Sequence, residues 1–412
     1  MRILALSPSL PSPFEGGVLQ LFYFLERLKR DYGHRITLLS LLEQPTRAGP
    51  SPDELRFCDA VQTVAVPRSG TRGRWLYGLR ALFRPRHLFS KSHTFLNPGY
   101  SAAMHGRVQD ALASGEFDVV LAHSLYTAFY VWDVRLPRVV HIDHPFVEGY
   151  RRWLRRTSIL SLPMKLLALL MYYANVRETR RVYEKGFYAL VTAGPQDVPI
   201  WRRYLPHMNI VPIPNGVDTE YFVPTADESE EPSLVFTGAM SSPANANAVL
   251  HFYRELFPLI RRMVPQVRLY VVGQEPPPHI LALGKDPGVV VTGFVPDVRP
   301  YLGEAWVVVV PTTVGMGCPN KILEAMAMGK SVVTTWAQAG GFPVTPGVHV
   351  AIADTPEEFA GQAVALLQDK ARRRAMGQAA RALVEERYTW TATTERLQNL
   401  LEEAVRVGRA GV

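Results

Sequence analysis

Cysteine is scarce in this chain, which has only Cys58 and Cys318 in 412 residues. Two such distant residues exclude a disulfide framework and a cysteine-based metal cage, and so few cysteines are typical of a reducing compartment. Long apolar runs are absent as well. The nearest candidate, residues 159–173, is interrupted by Pro163 and Lys165 and falls short of the ~18 apolar residues of a spanning helix. We therefore expect a cytoplasmic protein that does not cross a membrane.

Acidic residues are outnumbered by basic ones, 37 to 45, and the formal net charge is +8. A positive charge of this size suits nucleic acid, an anionic membrane surface or phosphorylated small molecules, and charge alone does not choose between them. No helix-turn-helix, RNA-binding sheet motif or zinc module is recognisable, which disfavours nucleic acid. With 47% hydrophobic and 20% charged residues, the chain is otherwise an ordinary globular protein of two or three domains.

Short apolar segments alternate with helical stretches through both halves of the chain. This alternation predicts parallel sheets with helices on both faces, and two doubly wound α/β domains in tandem. A polar segment, residues 227–232 (DESEEP), is predicted to be a surface linker. A ligand site between two such domains would be walled by both. The predicted strands are residues 3–6, 36–42, 60–66, 118–122, 138–142, 189–192 and 210–213 in the first half, and 234–237, 267–272, 289–292, 307–310, 331–335 and 348–353 in the second.

The segment 305–330 (AWVVVVPTTVGMGCPNKILEAMAMGK) carries the most chemistry. A buried strand at 307–310 leads into a glycine loop and a helix predicted at 319–328, which is the arrangement of an anion site at a helix N-terminus. Lys321 adds a full positive charge there, and Glu324, one turn further, suits the hydroxyls of a ribose. The alternative is a buried helix with Glu324 on a solvated face. We favour it less, because the neighbouring residues make this helix mostly apolar.

The motif PNKILEAMAMGKSVVTT resembles the nucleotide-sugar motif of glycosyltransferase family 4, and above all the sugar transferases associated with exopolysaccharide and exosortase (PEP-CTERM) systems. The resemblance recurs at IPNGVDTEYF (213–222), LVFTGAM (234–240), VTGFVPDVRPYL (291–302) and RYTW (387–390). It implies the GT-B fold, with two Rossmann-like domains and a cleft between them. An acceptor domain would span residues 1–217, a donor domain 218–389, and a final helix, about 390–412, would return to the first domain.

The resemblance also implies an activity. The protein would be a retaining, metal-independent glycosyltransferase without a cofactor, moving a hexosyl-type sugar from a nucleoside diphosphate sugar to a glycan or lipid-linked acceptor in bacterial polysaccharide biosynthesis. The implied donor-binding residues are Gly16, Gly17, Gly238, Phe294, Val295, Gly315, Met316, Gly317, Cys318, Pro319, Asn320, Lys321 and Glu324. On spacing alone, Gly16 and Gly17 equally suit any tight turn.

Two departures from the family pattern concern charge. Met316 stands where many members have a first Glu, eight positions before the second, so loop amides would do more of the work. The segment GAMSSPANA (238–246) lacks the usual Arg and Lys that neutralise the diphosphate. Lys321 and Arg299 remain as candidate cations.

Polar titratable residues follow the strand at 138–142, in the sequence VVHIDHPF. His141, Asp143 and His144 occupy the place where ligands bind in such folds, whereas in the alternative they satisfy loop backbone. The family uses a His or Asp after this strand at the reacting sugar. His144 is the first candidate for that role, Asp143 the second, and His123, which ends the preceding strand, a weaker one.

A basic and aromatic stretch, residues 150–173, motivates a membrane hypothesis. Arg151, Arg152, Arg155 and Arg156 flank a tryptophan and precede an apolar segment, a mixture that suits the anionic inner face of the cell membrane. Alternatively, the apolar part is core and the arginines meet an acceptor phosphate. Two rivals to a transferase stay open: a nucleotide-sugar epimerase on the same fold, and a non-enzymatic basic binding protein.

Overall fold

The computed structural model describes residues 1–13, 17–44, 52–67, 101–142, 148, 151, 169, 172–173, 176–177, 179–184, 186–225, 228–312 and 319–410. The chain forms two compact units. Unit 1 comprises Met1–Ala193, Asp197–Ile213 and Thr394–Val412, and unit 2 comprises Gly194–Gln196 and Pro214–Thr393. The final helix therefore belongs mostly to unit 1.

Unit 1 is built on a seven-stranded parallel sheet in the order β3-β2-β1-β4-β5-β6-β7. Its strands are β1 (Arg2–Ser7), β2 (Arg35–Gln44), β3 (Ala60–Pro67), β4 (Val119–His123), β5 (Arg138–Ile142), β6 (Ala189–Thr192) and β7 (Ile210–Pro212). Its helices are α1 (Leu19–Arg30), α2 (Ala102–Ala113), α3 (Ser124–Ala128) and α4 (Val198–Tyr204), with short 3-10 turns at Pro52–Leu55 and Pro195–Asp197.

Unit 2 is built on a six-stranded parallel sheet in the order β10-β9-β8-β11-β12-β13. Its strands are β8 (Ser233–Thr237), β9 (Arg268–Val272), β10 (Val289–Gly293), β11 (Val307–Val310), β12 (Ser331–Thr334) and β13 (Ala351–Ile352). The helices are α5 (Pro243–His251), a π-helical turn (Phe252–Leu256), α6 (Phe257–Met263), α7 (Pro278–Leu281), a 3-10 turn (Ala282–Lys285), α8 (Arg299–Glu304), α9 (Asn320–Ala327), α10 (Trp336–Ala339), α11 (Pro356–Gln368), α12 (Lys370–Arg387) and α13 (Trp390–Ala410), which ends in unit 1.

The central strands of both sheets are buried on both faces, as their apolar sequences predict. In unit 2, Phe236 packs into one core, whereas its neighbour Val235 packs into the core on the opposite face. In unit 1, Leu4 and Ala5 divide in the same way between two cores. Successive side chains of a strand point to opposite faces, so such runs need helices on each side. The predicted α/β class with two Rossmann-like units is confirmed.

The final helix, α13, completes one core of unit 1. Its residues Leu397, Leu400 and Leu401 are buried in the same cluster as Ile3 and Leu21. His34 on the loop before β2 bonds Gln398 of α13 through Nε2 at 2.6 Å. Unit 1 is thus assembled from both ends of the chain.

The segment predicted to be a linker has a different place. Residues 228–232 belong to unit 2, ahead of β8. Glu228 forms a salt bridge of 2.8 Å with Arg373 of α12, whose guanidinium also lies 4.4 Å from the centroid of the Trp306 ring. The chain instead passes between the units at Ile213 and Pro214. No helix within the described ranges combines the length and apolar character needed to cross a membrane.

Candidate functional site

The order in which strands are added to the sheet of unit 2 reverses between β8 and β11. From β8 the strand order runs through β9 to β10, and from β11 it runs the other way to β13. In open parallel sheets, the crevice outside the carboxyl ends of the strands at such a switch point is where ligands bind. Residues that follow β8 and β11 are therefore the first candidates for a site in this unit.

Lys321 links the two helices that follow these strands. It lies in the first turn of α9, the helix after β11, and its Nζ donates a hydrogen bond of 2.7 Å to Oδ1 of Asn245 in α5, the helix after β8. The same ammonium lies 4.2 Å from the centroid of the Phe236 ring, a cation–π geometry. Asn245 Nδ2 donates in turn to the carbonyl of Ala239 at 2.9 Å. The ammonium of Lys321 is thus held in place at the switch point.

Burial changes the acid–base behaviour of Lys321 and Glu324. Loss of hydration lowers the pKa of the Lys321 ammonium to about 8, and the negative charge of Glu324 offsets part of that shift. Burial raises the pKa of the Glu324 carboxyl to about 7, against an opposing effect of Lys321. No hydrogen bond or salt bridge to a described residue satisfies the Glu324 carboxylate. A titratable pair with opposed shifts at a strand switch point is typical of a functional site.

Two glycines bring the backbones of β8 and β9 together at this edge. Gly238 follows β8 with φ +146°, and Gly273 follows β9 with φ +156°. A Cβ at Gly273 would lie 1.8 Å from the carbonyl oxygen of Gly238, and a Cβ at Gly238 would lie 3.0 Å from Lys321 Nζ. A side chain at Gly238 would occupy the space beside the ammonium, and one at Gly273 would collide with the backbone of Gly238. The donor-binding role of Gly238 stays a prediction.

The start of α9 is hydrogen-bonded to Asn215, which lies in the same unit. Asn215 Nδ2 donates a hydrogen bond of 2.6 Å to Oδ1 of Asn320, the first residue of the helix. Pro319 precedes the helix in an extended conformation and its carbonyl accepts from Ile322 at 3.1 Å, so it caps α9 rather than occupying its first turn. This bond from Asn215, in the motif IPNGVDTEYF, holds the N-terminus of the helix.

Three further predicted residues lie after β10. Phe294 is 72% exposed, whereas Val295 is partly buried against the core of unit 2. The candidate cation Arg299 has another role. Its guanidinium pairs with Asp297 at 2.8 Å and lies 3.8 Å from the centroid of the Tyr221 ring, so its charge is already balanced.

Several predicted site residues lie outside the described ranges. They are Gly16 of the first loop, the catalytic candidates Asp143 and His144, and the loop residues Gly315, Met316, Gly317 and Cys318. The structure brings together Gly238, Lys321 and Glu324, with Pro319 and Asn320 at the same helix start. Phe294 and Val295 follow β10, which is two strands away from β8 in the sheet order.

Unit 1 has a comparable switch point, between β1 and β4, and a histidine pair lies there. His123 Nδ1 and His141 Nδ1 are 2.8 Å apart, and His123 Nε2 is 2.8 Å from the carbonyl oxygen of Gly17. A carbonyl only accepts, so His123 Nε2 carries a proton, and in the neutral pair His141 Nδ1 donates to His123 Nδ1. Burial lowers the pKa of His141 well below its usual value. These histidines hold Gly17, the described member of the predicted first loop.

Arg151, the described member of the predicted arginine patch, is engaged within unit 1. It makes a bidentate contact to Glu148, with Nη2 to Oε1 at 2.6 Å and Nε to Oε2 at 2.9 Å. Tyr204 donates to the same carboxylate at 3.0 Å. Arg152, Arg155 and Arg156 lie outside the described residues. Within the described residues, no group of three or more His, Cys, Asp or Glu side chains is arranged to hold a metal ion.

Sequence reasoning missed Asn245 and Gly273. A glycine directly after a strand, such as Gly273 after β9 (RLYVV), is a recognisable signal for a close backbone approach. The segment of Asn245 was recognised only for the arginine and lysine that it lacks. Nothing local marks this asparagine, because its partner Lys321 is 76 residues away along the chain.

Comparison with known proteins bears on the same region. Residues 231–369, about a third of the chain and wholly within unit 2, match the family model of Glycosyl transferases group 1. No curated protein matches the chain in sequence.

Solved structures match over the whole chain. Anabaena Alr3699/HepE in complex with UDP and glucose is 18% identical with a TM-score of 0.67, covering 98% of this chain and 100% of that one. Sucrose-phosphate synthase from Thermosynechococcus elongatus is 16% identical with a TM-score of 0.67, covering 99% and 100%. WaaG, a glycosyltransferase involved in lipopolysaccharide biosynthesis, is 15% identical with a TM-score of 0.63, covering 98% and 99%. The fold is GT-B, and with the group 1 match in unit 2 it supports a GT-B glycosyltransferase.

Proposed function

We propose that this protein is a retaining glycosyltransferase that transfers a hexosyl-type sugar from a nucleoside diphosphate sugar to a glycan or lipid-linked acceptor in bacterial polysaccharide biosynthesis. The observation that carries the proposal is the fixed ammonium of Lys321 at the switch point of unit 2, inside the segment that matches group 1 transferases. The HepE complex with UDP and glucose and the role of WaaG in lipopolysaccharide biosynthesis support the donor and acceptor classes. The motifs of the second half support glycosyltransferase family 4.

The chemistry asks the enzyme to stabilise a departing diphosphate. When the bond between the sugar and the diphosphate breaks, negative charge grows on the phosphate oxygens and positive charge on the sugar ring. The N–H groups of Lys321 and the N-terminus of α9 are preorganised positive groups, and such groups act where charge develops in the transition state. Glu324, held in the next turn without a protein partner among the described residues, is placed to accept from ribose hydroxyls.

The family resemblance supports His144 or Asp143 at the reacting sugar and Gly17 at the donor diphosphate. No residue is asked to hold a metal ion, since the cationic groups of the chain perform the charge stabilisation. We further propose that the protein works in the cytoplasm, at the inner face of the cell membrane, where a lipid-linked acceptor is presented.

A panel of nucleotide sugars tests the proposal. We expect thermal stabilisation by one nucleotide sugar and by its nucleoside diphosphate, slow release of that diphosphate without acceptor, and faster release with an acceptor glycan. NMR of the product would show the anomeric configuration of the donor. Conversion of the donor into an epimer without acceptor would instead identify an epimerase. Absence of binding and of release across the panel would favour a non-enzymatic binding protein.

His144 is proposed to act at the reacting end of the donor. His144→Ala should therefore lower kcat much more than it lowers the affinity for the nucleoside diphosphate. Steady-state kinetics together with calorimetry measure both quantities, and Asp143→Ala is the matched comparison. Normal turnover by a folded His144→Ala protein would transfer the role to Asp143.

A further inference from the structure

The carboxamide of Asn245 lies between the loop after β8 and the cation of α9. Its Oδ1 accepts from Lys321 Nζ at 2.7 Å, and its Nδ2 donates to the carbonyl of Ala239 at 2.9 Å. Since the Ala239 carbonyl only accepts, the orientation of the amide is fixed, and the oxygen faces the ammonium. Both polar atoms of the Asn245 side chain therefore make hydrogen bonds. The oxygen accepts its bond from Lys321, which together with Glu324 makes up the charged residues of α9.

A neutral acceptor has a specific effect on a buried cation. The amide oxygen orients Lys321 Nζ without cancelling its charge, whereas a carboxylate in the same place would neutralise it. An ammonium has three N–H donors, and Asn245 takes one. The other two donate no hydrogen bond to any residue that the structure describes. Phe236, whose ring centroid is 4.2 Å from Nζ, limits where the ammonium lies on its other side.

We propose that Asn245 is a positioning residue, which holds Lys321 Nζ at the carboxyl end of β8 with two N–H donors directed to the diphosphate of the donor. This inference rests on the proposed function and deepens it. It explains how the segment 238–246, without an arginine or lysine of its own, still presents a positive charge: the charge comes from α9 and the segment supplies its anchor. The bond to Ala239 fixes the anchor to the loop after β8.

A purely structural role for Asn245 makes different predictions. If the amide only joined α5 to the loop after β8, its removal would lower stability and leave the titration of Lys321 unchanged. If it positions the cation, its replacements must act on that titration. Asn245→Asp places a negative charge beside the ammonium and should raise the pKa of Lys321. Asn245→Ala removes an acceptor that favours the charged form and should lower that pKa.

Asn247 provides a matched control on the same helix. It is two residues away, exposed, and neither of its polar atoms contacts a described residue. Asn247→Asp and Asn247→Ala introduce the same chemical changes without touching Lys321. Both control variants should match the wild-type protein in nucleotide affinity and in the titration of Lys321.

The experiment has two arms. NMR of lysine-labelled, ligand-free protein, with the Lys321 signal assigned from Lys321→Met, follows its titration in wild type, Asn245→Asp, Asn245→Ala and the two Asn247 variants. Calorimetry measures the affinity for UDP and for inorganic pyrophosphate. We expect opposite shifts of the Lys321 titration in the two Asn245 variants, and at pH 7 an affinity about tenfold or more lower in each, from a lost or neutralised charged hydrogen bond. In the Lys321→Met background, Asn245→Ala should have no further effect on affinity.

The outcomes separate the two proposals. Unchanged Lys321 titration in both Asn245 variants, or an equal loss of affinity with and without Lys321, would overturn the positioning role. Failure of wild type to bind UDP, other nucleoside diphosphates and pyrophosphate would overturn the proposed function, while the NMR arm still decides whether Asn245 controls the ammonium. If Asn245→Ala does not fold, Asn245→Asp, which has nearly the same shape, carries both arms.

Discussion

Glu324 shows how one side chain can have a functional benefit and a structural cost. It is partly buried and has no hydrogen-bond partner among the described residues, so folding removes water from a carboxylate and gives little in return. Such a residue is expected where a ligand completes the hydrogen bonds. We expect Glu324→Ala to lower the affinity for the nucleoside diphosphate by about 1.5 to 3 kcal/mol, the size of a lost charged hydrogen bond. Calorimetry with UDP measures it, and unchanged affinity in a folded variant would falsify the ribose assignment.

The same carboxyl predicts a dependence of stability on pH. Its pKa is about 7 in the folded protein, against 4.5 for a glutamate side chain in water, so the folded state retains a proton that the unfolded chain releases between those pH values. Unfolding free energy should therefore fall as pH rises from about 4.5 to 7, by about 1 to 3 kcal/mol. Glu324→Gln should lack this decline and be more stable than wild type at pH 8. Urea denaturation across that range is the measurement, and parallel profiles of the two proteins would contradict a buried, unsatisfied carboxylate.

At the scale of elements, the strands were largely predictable. Residues 138–142, 189–192 and 307–310 were predicted with the observed bounds, because β-branched runs buried on both faces leave little doubt about where a strand begins and ends. β13 is shorter than predicted, at Ala351–Ile352, since the residues before it enter a turn in which Gly347 donates to the carbonyl of Val350. The local sequence pattern predicts where strands lie. The turns that shorten them depend on hydrogen bonds that form in the folded chain.

Contacts between elements were the part that the sequence did not reveal. The bond from Lys321 to Asn245 joins helices whose bonded residues are 76 positions apart, and the histidine pair joins the ends of the neighbouring strands β4 and β5. The position of Lys321 in a helix start was predictable from local pattern, whereas its partner was not. His141 looked like a strand-end site residue, yet it is buried within β5 and paired with His123.

The meeting of two strand ends predicts a strong effect at one glycine. In Gly273→Ala the new methyl group would overlap the Gly238 carbonyl at 1.8 Å, so the backbone beside Lys321 must move. We expect a loss of about 1 to 3 kcal/mol in unfolding free energy and reduced UDP binding. Gly361→Ala is the control, because it lies in helix α11 with nothing within 4 Å of a new Cβ, and it should stabilise by about 0.5 to 1 kcal/mol. Equal stability of the two variants, measured in urea, would contradict the close approach.

At the scale of the whole molecule, the membrane hypothesis can be tested separately for Arg151 and for the other three arginines. Arg151 is held by the buried carboxylate of Glu148, so its charge serves the interior of unit 1. Replacing Arg152, Arg155 and Arg156 together by Gln should reduce co-sedimentation with anionic vesicles, at about 1 kcal/mol for each cation. Arg151→Gln should leave vesicle binding near the wild-type level and lower unfolding free energy by about 1 to 3 kcal/mol. No vesicle binding by the wild-type protein at low salt would leave the acceptor-phosphate alternative.

The placement of α13 has a consequence for how the protein is made. Residues 214–393 of unit 2 are all synthesised before the last residues of α13, and the cores of unit 2 contain none of those last residues. Unit 1 begins first yet is completed later, because Leu397, Leu400 and Leu401 enter its core only after they have been made. Until then, the apolar cluster around Ile3 and Leu21 lacks these three side chains. A chain cut before Leu397 should therefore be degraded through its N-terminal unit, the one farthest from the cut in sequence.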